Sequence, residues 1–232
     1  MINVKNLRKT YGEVVAVDDV SFEAKKGDIV GFIGPNGAGK TTTLRMLSCF
    51  IEPDCGSATV GGFDIRTQSV EVRRALGYVS EKCPFYGEMT PRWFLHFVCD
   101  VRGINGNRYK PEIERVAAIS SLQSIMDRRI ETLSKGFQRR LGLAQSLLGD
   151  PAILILDEPM SGLDPNQKQE IIELIRFMAG DKCFIIPTHV MEELEAICNR
   201  SILISKEKSW PTPRHRTSRR RARERSTPSS AK

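Results

Sequence analysis

This sequence contains no apolar run long enough to cross a bilayer. Its longest uninterrupted aliphatic stretch is Ala152 to Leu156, against the roughly 20 residues that a spanning helix needs. It also lacks an export signal, because Met1-Ile2-Asn3-Val4-Lys5 is neither a basic segment leading into an apolar one nor a cleavable small-residue site. None of the six cysteines (Cys49, Cys55, Cys83, Cys99, Cys183 and Cys198) forms a C-x-x-C pair. Their scatter argues for reduced thiols and against a disulfide frame or a zinc site. A cytosolic location is the expectation. Acidic residues are scarce only at the end: residues 206–232 hold ten Lys or Arg against two Glu, a net +8 within a whole-chain +7, so residues 1–205 carry −1. The basic balance therefore belongs to a Ser/Pro/Thr/Arg-rich tail, read as disordered and solvated, and no specific nucleic-acid partner is expected.

What is present is an ordinary globular composition, 40% hydrophobic and 27% charged. Strand-like and helix-like runs alternate, which predicts an α/β domain with a partly parallel sheet. Ile2–Leu7, Val14–Phe22 and Asp28–Ile33 read as strands broken by Gly12 and by Lys25-Lys26-Gly27. Between Glu81 and Arg129 the period becomes helical, with Pro91–Arg102 and Pro111–Ile125 separated by a Gly/Asn-rich turn. A helix near 136–148, a buried strand Ile153–Leu156, a helix from Pro165, a strand near Phe184, a helix from Val190 and a strand Ser201–Ile204 follow.

The third strand runs into Gly34-Pro35-Asn36-Gly37-Ala38-Gly39-Lys40-Thr41-Thr42. This matches the phosphate-binding pattern G-x-x-x-x-G-K-[ST] in the strand-to-helix context that gives it meaning. Glycines let successive backbone N–H groups point at phosphate oxygens, and the helix N-terminus adds positive potential. Lys40 is expected on the β- and γ-phosphates, and the Thr41 hydroxyl on Mg²⁺. The run Ile153-Leu154-Ile155-Leu156 ends in Asp157-Glu158. Burial explains the aliphatic part only. An Asp at a strand end can reach the metal, and its neighbour, pointing the other way, can orient or deprotonate a water. Together the motifs predict a Mg-nucleotide hydrolase using ATP.

Between them lies Leu133-Ser134-Lys135-Gly136-Phe137-Gln138-Arg139-Arg140, and after them Ser161-Gly162-Leu163-Asp164-Pro165 and Thr188-His189. These segments resemble the ABC (ATP-binding cassette) ATPase family over roughly residues 1–205. The resemblance implies a P-loop NTPase with a mixed, largely parallel core sheet, an N-terminal antiparallel β subdomain and an inserted helical subdomain at about 82–145. It implies that Ser134 and Gly136, with Lys135, Phe137 and Gln138, face the ATP of a second subunit, so that two chains, identical or different, close head to tail. It places Asp164 at the dimer seam, His189 on the γ-phosphate or attacking water, and Tyr11 on adenine. A separate membrane-spanning permease, docked near residues 81–100, is the implied partner, which would put the chain on the inner face of the cell membrane.

Departures accompany the match. Glu81 stands where many members carry glutamine, a third oxygen available to the metal or its water. Lys135 and Phe137 replace commoner residues; such Lys-Gly-Phe variants, and the run Leu163-Asp164-Pro165-Asn166-Gln167, resemble ATPases of ABC-2-type and gliding-motility-like exporters. The resemblance stops after Ile204, which suggests a truncated or frame-shifted end. Alternatively, Arg219-Arg220-Arg221 attracts anionic lipid, at about 1 kcal/mol per basic residue. Two other functions share these motifs: a soluble ABC ATPase working on ribosomes or DNA, usually with two cassettes or coiled-coil insertions, and a nucleotide-binding module with little turnover.

Overall fold

The computed structural model describes residues 1–204 and the two-residue strand Trp210–Pro211. The sequence expectations for the rest of the 206–232 tail lie outside the described residues.

Two sheets form. β1 (Ile2–Tyr11) and β2 (Val14–Ala24) are antiparallel, joined by a two-residue turn in which Gly12 takes φ +57°, the backbone that such tight hairpins demand. β3 (Ile29–Ile33) leaves for the second sheet, and α1 (Lys40–Leu47) follows it. β4 (Cys55–Val60) returns to pair with β1, and β5 (Phe63–Asp64) completes the order β2-β1-β4-β5. After α2 (Ser69–Ala75) come β6 (Leu76–Val79), α3 (Pro91–Val101), α4 (Tyr109–Ile119), α5 (Lys135–Leu147) and β7 (Ile153–Leu156). The chain continues through α6 (Pro165–Met178), β8 (Cys183–Pro187), α7 (Met191–Ile197), β9 (Arg200–Leu203) and β10 (Trp210–Pro211). The second sheet runs β10-β9-β3-β8-β7-β6, parallel from β9 to β6, with β10 antiparallel at its edge.

Side-chain alternation along the buried strands divides the interior in two. Ile153 and Ile155 join Ile2, Leu7, Phe32 and Leu44 in a core between the two sheets, whereas Leu154 and Leu156 join Leu95, Val116, Leu141 and Ile175 under the helices. All four side chains of β7 are fully buried, each contributing about 1.5–3 kcal/mol. The sheets are tied by an edge-to-face contact of Phe22 with Phe32, centroids 5.1 Å apart.

The starts of α3, α5 and α6 are set by side-chain caps. Thr90, Ser134 and Asp164 accept from the backbone N–H groups of Trp93, Phe137 and Gln167, and Pro91 and Pro165 occupy first-turn positions where no N–H is missed. The helix expected over 111–125 instead spans Tyr109–Ile119. Ser121 adopts φ +53°, and Leu122 N–H turns back to the Ala117 carbonyl, a left-handed stop that periodicity does not reveal.

Candidate functional site

Topology does the assembling. β3, β8, β7 and β6 are consecutive neighbours in a parallel sheet, so the loops leaving their C-terminal ends emerge side by side, where open α/β sheets bind ligands. Those four loops carry Gly34–Lys40, Thr188-His189, Asp157-Glu158 and Ser80-Glu81. Asp157 N–H donates to the Val79 carbonyl of β6 (2.8 Å) and Glu158 N–H to the Pro187 carbonyl of β8 (3.3 Å), which fixes the carboxylate pair between its neighbours.

The glycine loop is wrapped as its sequence expects. Gly37 and Gly39 take φ +79° and +95°. A Cβ at Gly39 would stand 2.3 Å from the Ala16 carbonyl oxygen, so any side chain there is both strained and obstructed. Lys40 opens α1 and doubles back, Nζ donating to the carbonyls of Gly34 (2.6 Å) and Pro35 (3.1 Å). Burial pulls its pKa down, opposed by the charges of Glu158 and Asp157.

Asn36, Gly37, Gly39, Lys40, Thr41 and Thr42 line a cavity of about 980 Å³ together with Tyr11, Glu81, Asp157 and Glu158. Gly34, Pro35 and Ala38 form the back of the loop; Ala38 is buried, and Gly34 packs against the Ile204 carbonyl. Tyr11, at the end of β1, is 49% exposed at the cavity mouth. Arg45, Tyr78, Ser80 and Lys82 also line this space and were not identified from the sequence. Arg45 was the legible one, lying four residues after Thr41 on the same face of α1.

Asp157 is the electrostatic focus. Burial, then Glu81, then Glu158 push its carboxyl above the usual range, with Arg139 and Arg45 opposing. Burial and Asp157 likewise push the Tyr78 phenol up to about 12. Glu158 occupies a left-handed backbone position, φ +46°, and its Oε1 lies 2.6 Å from His189 Nδ1. The imidazole is 59% exposed. The turn before it is held from below: Lys168 Nζ donates to Glu193 (2.8 Å), the Thr188 hydroxyl donates to Glu193 (3.2 Å), and Val190 N–H donates to that hydroxyl (3.1 Å).

The Ser134 segment does not meet this cavity. Ser134, Gly136 and Phe137 line a separate hollow of about 370 Å³ with Arg140 and Gln167. The Gln138 amide turns toward the carbonyls of Ile130 and Leu133 (3.4 Å each), and Phe137 packs against the helical core. The Lys135 amine approaches Gly162. Asp164 is engaged locally as the cap of α6, accepting from Gln167 N–H at 3.0 Å.

A charge focus in Asp157 sets up a checkable effect. A carboxyl whose folded pKa is raised contributes stability that is complete below its unfolded pKa and is lost as pH rises through the folded value. At pH 7 the ligand-free protein therefore bears the cost of an ionised Asp157 facing Glu81 and Glu158. Asp157→Asn is expected to raise the ligand-free melting temperature by a few degrees at pH 7, less as pH falls into the carboxylate range. The same variant is expected to lose most of the stabilisation added by MgATP. Thermal melts with and without MgATP check both.

Sheet topology, glycine loop and carboxylates define a P-loop nucleotide-binding protein. Residues 17–161 match the family described as ABC transporter. The chain is 38% identical over 205 residues to the probable multidrug ABC transporter ATP-binding protein YbhF of Escherichia coli (strain K12), covering 88% of this chain and 35% of that protein. It is 36% identical over 193 residues to the ABC transporter ATP-binding protein NatA of Bacillus subtilis (strain 168), covering 82% of this chain and 78% of NatA. Its fold matches a dimeric post-hydrolysis state of the ATP-binding cassette MJ0796 bound to ADP and Pi, with TM-score 0.78, 22% identity, and 91% and 98% of the two chains covered. The chain belongs to the ABC transporter family, and both of these relatives are ATP-binding proteins of it. It spans about a third of the length of YbhF.

Proposed function

We propose that this chain binds MgATP, closes head to tail on a second ATP-binding subunit and hydrolyses the nucleotide to drive a separate membrane-spanning permease in export. One observation carries the reading. The loops after β3, β6 and β7 converge on one cavity, while Ser134 and Gly136, at a helix N-terminus equally suited to an anion, face a different hollow. A single chain thus holds two phosphate-binding half-sites that it cannot bring together. A second subunit can.

In this reading the N–H groups of residues 36–41 and Lys40 hold the phosphates. Glu158 accepts the proton of the attacking water, and His189, 2.6 Å away, keeps that carboxylate aimed and reaches toward the γ-phosphate. Tyr11 stacks on adenine. Asp164 acts at the seam through the N-terminus of α6, which it caps. Magnesium fits the same edge, since the Thr41 hydroxyl and the carboxylates of Asp157 and Glu81 are the hard oxygen donors it takes. Burial, Glu81 and Glu158 push the Asp157 carboxyl up, the direction that a bound cation would oppose. The ion, when bound, supplies neutralisation of the triphosphate charge. Among the described residues no group of three or more His, Cys, Asp or Glu is placed to hold a metal.

A groove of about 530 Å³ between α1, β6 and α3, lined by Phe50, Phe85, Phe94, Arg45, Arg73 and Arg102, supports a permease contact on this side. Phe50 is 77% exposed, and Trp93, Phe97 and Tyr86 are exposed nearby, apolar surface suited to a partner helix. Among the described residues no helix is long and apolar enough to cross a membrane.

Ser134→Arg tests the composite site. The substitution places a bulky cation at the cap of α5, away from the chain's own cavity. MgATP binding by the isolated chain is expected to persist, while ATP-induced dimers vanish and hydrolysis falls about 100-fold, the scale of losing a charge-stabilising donor set. Gel filtration with MgATP and phosphate release read the two effects; unaltered dimerisation and turnover would overturn the head-to-tail reading.

A further inference from the structure

The end of β1 that presents Tyr11 is held by a side chain outside every motif described above. β1 pairs with β4 as far as Arg8 opposite Cys55, and β4 does not extend beyond. Asp54, just before β4, substitutes for the missing strand. Its N–H donates to the Arg8 carbonyl (2.9 Å). Its carboxylate accepts from Thr10 N–H (2.7 Å), from the Thr10 hydroxyl (2.6 Å) and from Lys9 Nζ (2.8 Å). The same Lys9 Nζ stands 5.8 Å from the centre of the Tyr11 ring, within cation–π range. One carboxylate thus fixes both residues that precede the aromatic, and one of the two steadies the ring itself. The bonds from Lys9 and Thr10 keep this carboxyl well below the usual carboxylate range, so it is ionised throughout the working range of pH.

We propose that Asp54 is a positioning residue for the nucleotide base: through Lys9 and Thr10 it holds the Tyr11 ring in place for adenine, and so sets the preference for ATP over a triphosphate with no base. The inference rests on the reading of Tyr11 given above. β2 pairs with β1 out to Tyr11 opposite Val14, so the hairpin survives without Asp54, and what is lost is the orientation of its tip.

Calorimetric titration of the whole chain with MgATP and with magnesium tripolyphosphate separates the possibilities. Tyr11→Ala is expected to weaken MgATP about tenfold, the scale of one aromatic–base stack, with tripolyphosphate unchanged. Asp54→Ala is expected to weaken MgATP by about three- to tenfold, part or all of that stack, again with tripolyphosphate unchanged. Asp54→Asn, which retains an acceptor for Thr10 but no charge for Lys9, falls between wild type and Asp54→Ala. The Tyr11→Ala/Asp54→Ala double variant loses no more than Tyr11→Ala alone, because the two act as a unit. Equal losses for both ligands would make Asp54 a support of the fold and overturn the proposal, as would a normal ATP-to-tripolyphosphate ratio in Asp54→Ala beside a lowered one in Tyr11→Ala. A normal ratio in Tyr11→Ala itself would remove the reading of the aromatic, and the proposal with it.

Discussion

Glu158→Gln is expected to stop turnover while leaving the nucleotide bound, lowering the hydrolysis rate by about 10²–10⁴-fold, the range of a general base. The residue sits at the mouth of the 980 Å³ cavity, on a backbone clamped to β8. It holds a left-handed conformation that any replacement must share. Glutamine matches glutamate in shape, so the loop and the contact toward His189 can survive. What disappears is a negative oxygen able to take a proton. Removing one of the carboxylates that face the phosphates also lowers the repulsion they meet, so MgATP affinity is expected to hold or rise. In the proposed head-to-tail reading, where opening waits on hydrolysis, the variant is expected to accumulate as an ATP-bound dimer in gel filtration. Single-turnover assays settle the chemistry: a rate within tenfold of wild type would transfer the base role away from Glu158.

The parts of this molecule legible in its sequence are those where a backbone conformation or a burial demand admits few residue types. The loop 34–41 is one, because Gly39 can carry no Cβ against Ala16. The strand Ile153–Leu156 is another, since four consecutive buried aliphatics ending in two carboxylates admit no other role. Helices were expected to start at Pro91 and Pro165, and there the caps Thr90 and Asp164 start them. By contrast β4, β5 and α2 were not read. Cys55-Gly56-Ser57 is exposed and weak in strand character, and its pairing with β1 is decided by tertiary contact. The cavity wall contributed by Tyr78 and Ser80 was equally hidden, because a four-residue strand bordered by a turn has no periodicity to detect. Side-chain direction was the other blind spot. Nothing in the order Ser134-Lys135-Gly136-Phe137-Gln138 says that the last amide turns inward to Ile130 and Leu133.

Lys40→Met is expected to weaken MgATP binding by about 30- to 5000-fold, the cost of removing one member of a charge pair at about 2–5 kcal/mol. In the ligand-free protein the ammonium is partly buried, which pulls its pKa down, and it donates to the carbonyls of Gly34 and Pro35. Incoming β- and γ-phosphates offer stronger acceptors and cancel the desolvation that lowers its pKa. Binding therefore exchanges two neutral acceptors for anionic ones. Methionine fills the same volume on α1 and carries no charge, so the helix and the loop glycines remain able to fold. If the lysine serves the outer phosphates alone, as proposed, AMP affinity is expected to change little, while ATP suffers most. Lys40→Arg separates charge from shape: a guanidinium is too broad to reach between the Gly34 and Pro35 carbonyls as the ammonium does, and is expected to recover only part of the ATP affinity. Titration with ATP, ADP and AMP gives the ranking. Equal losses for all three would mean that the substitution had collapsed the loop, whereas undiminished ATP binding would assign the phosphates to the N–H groups and the helix terminus alone.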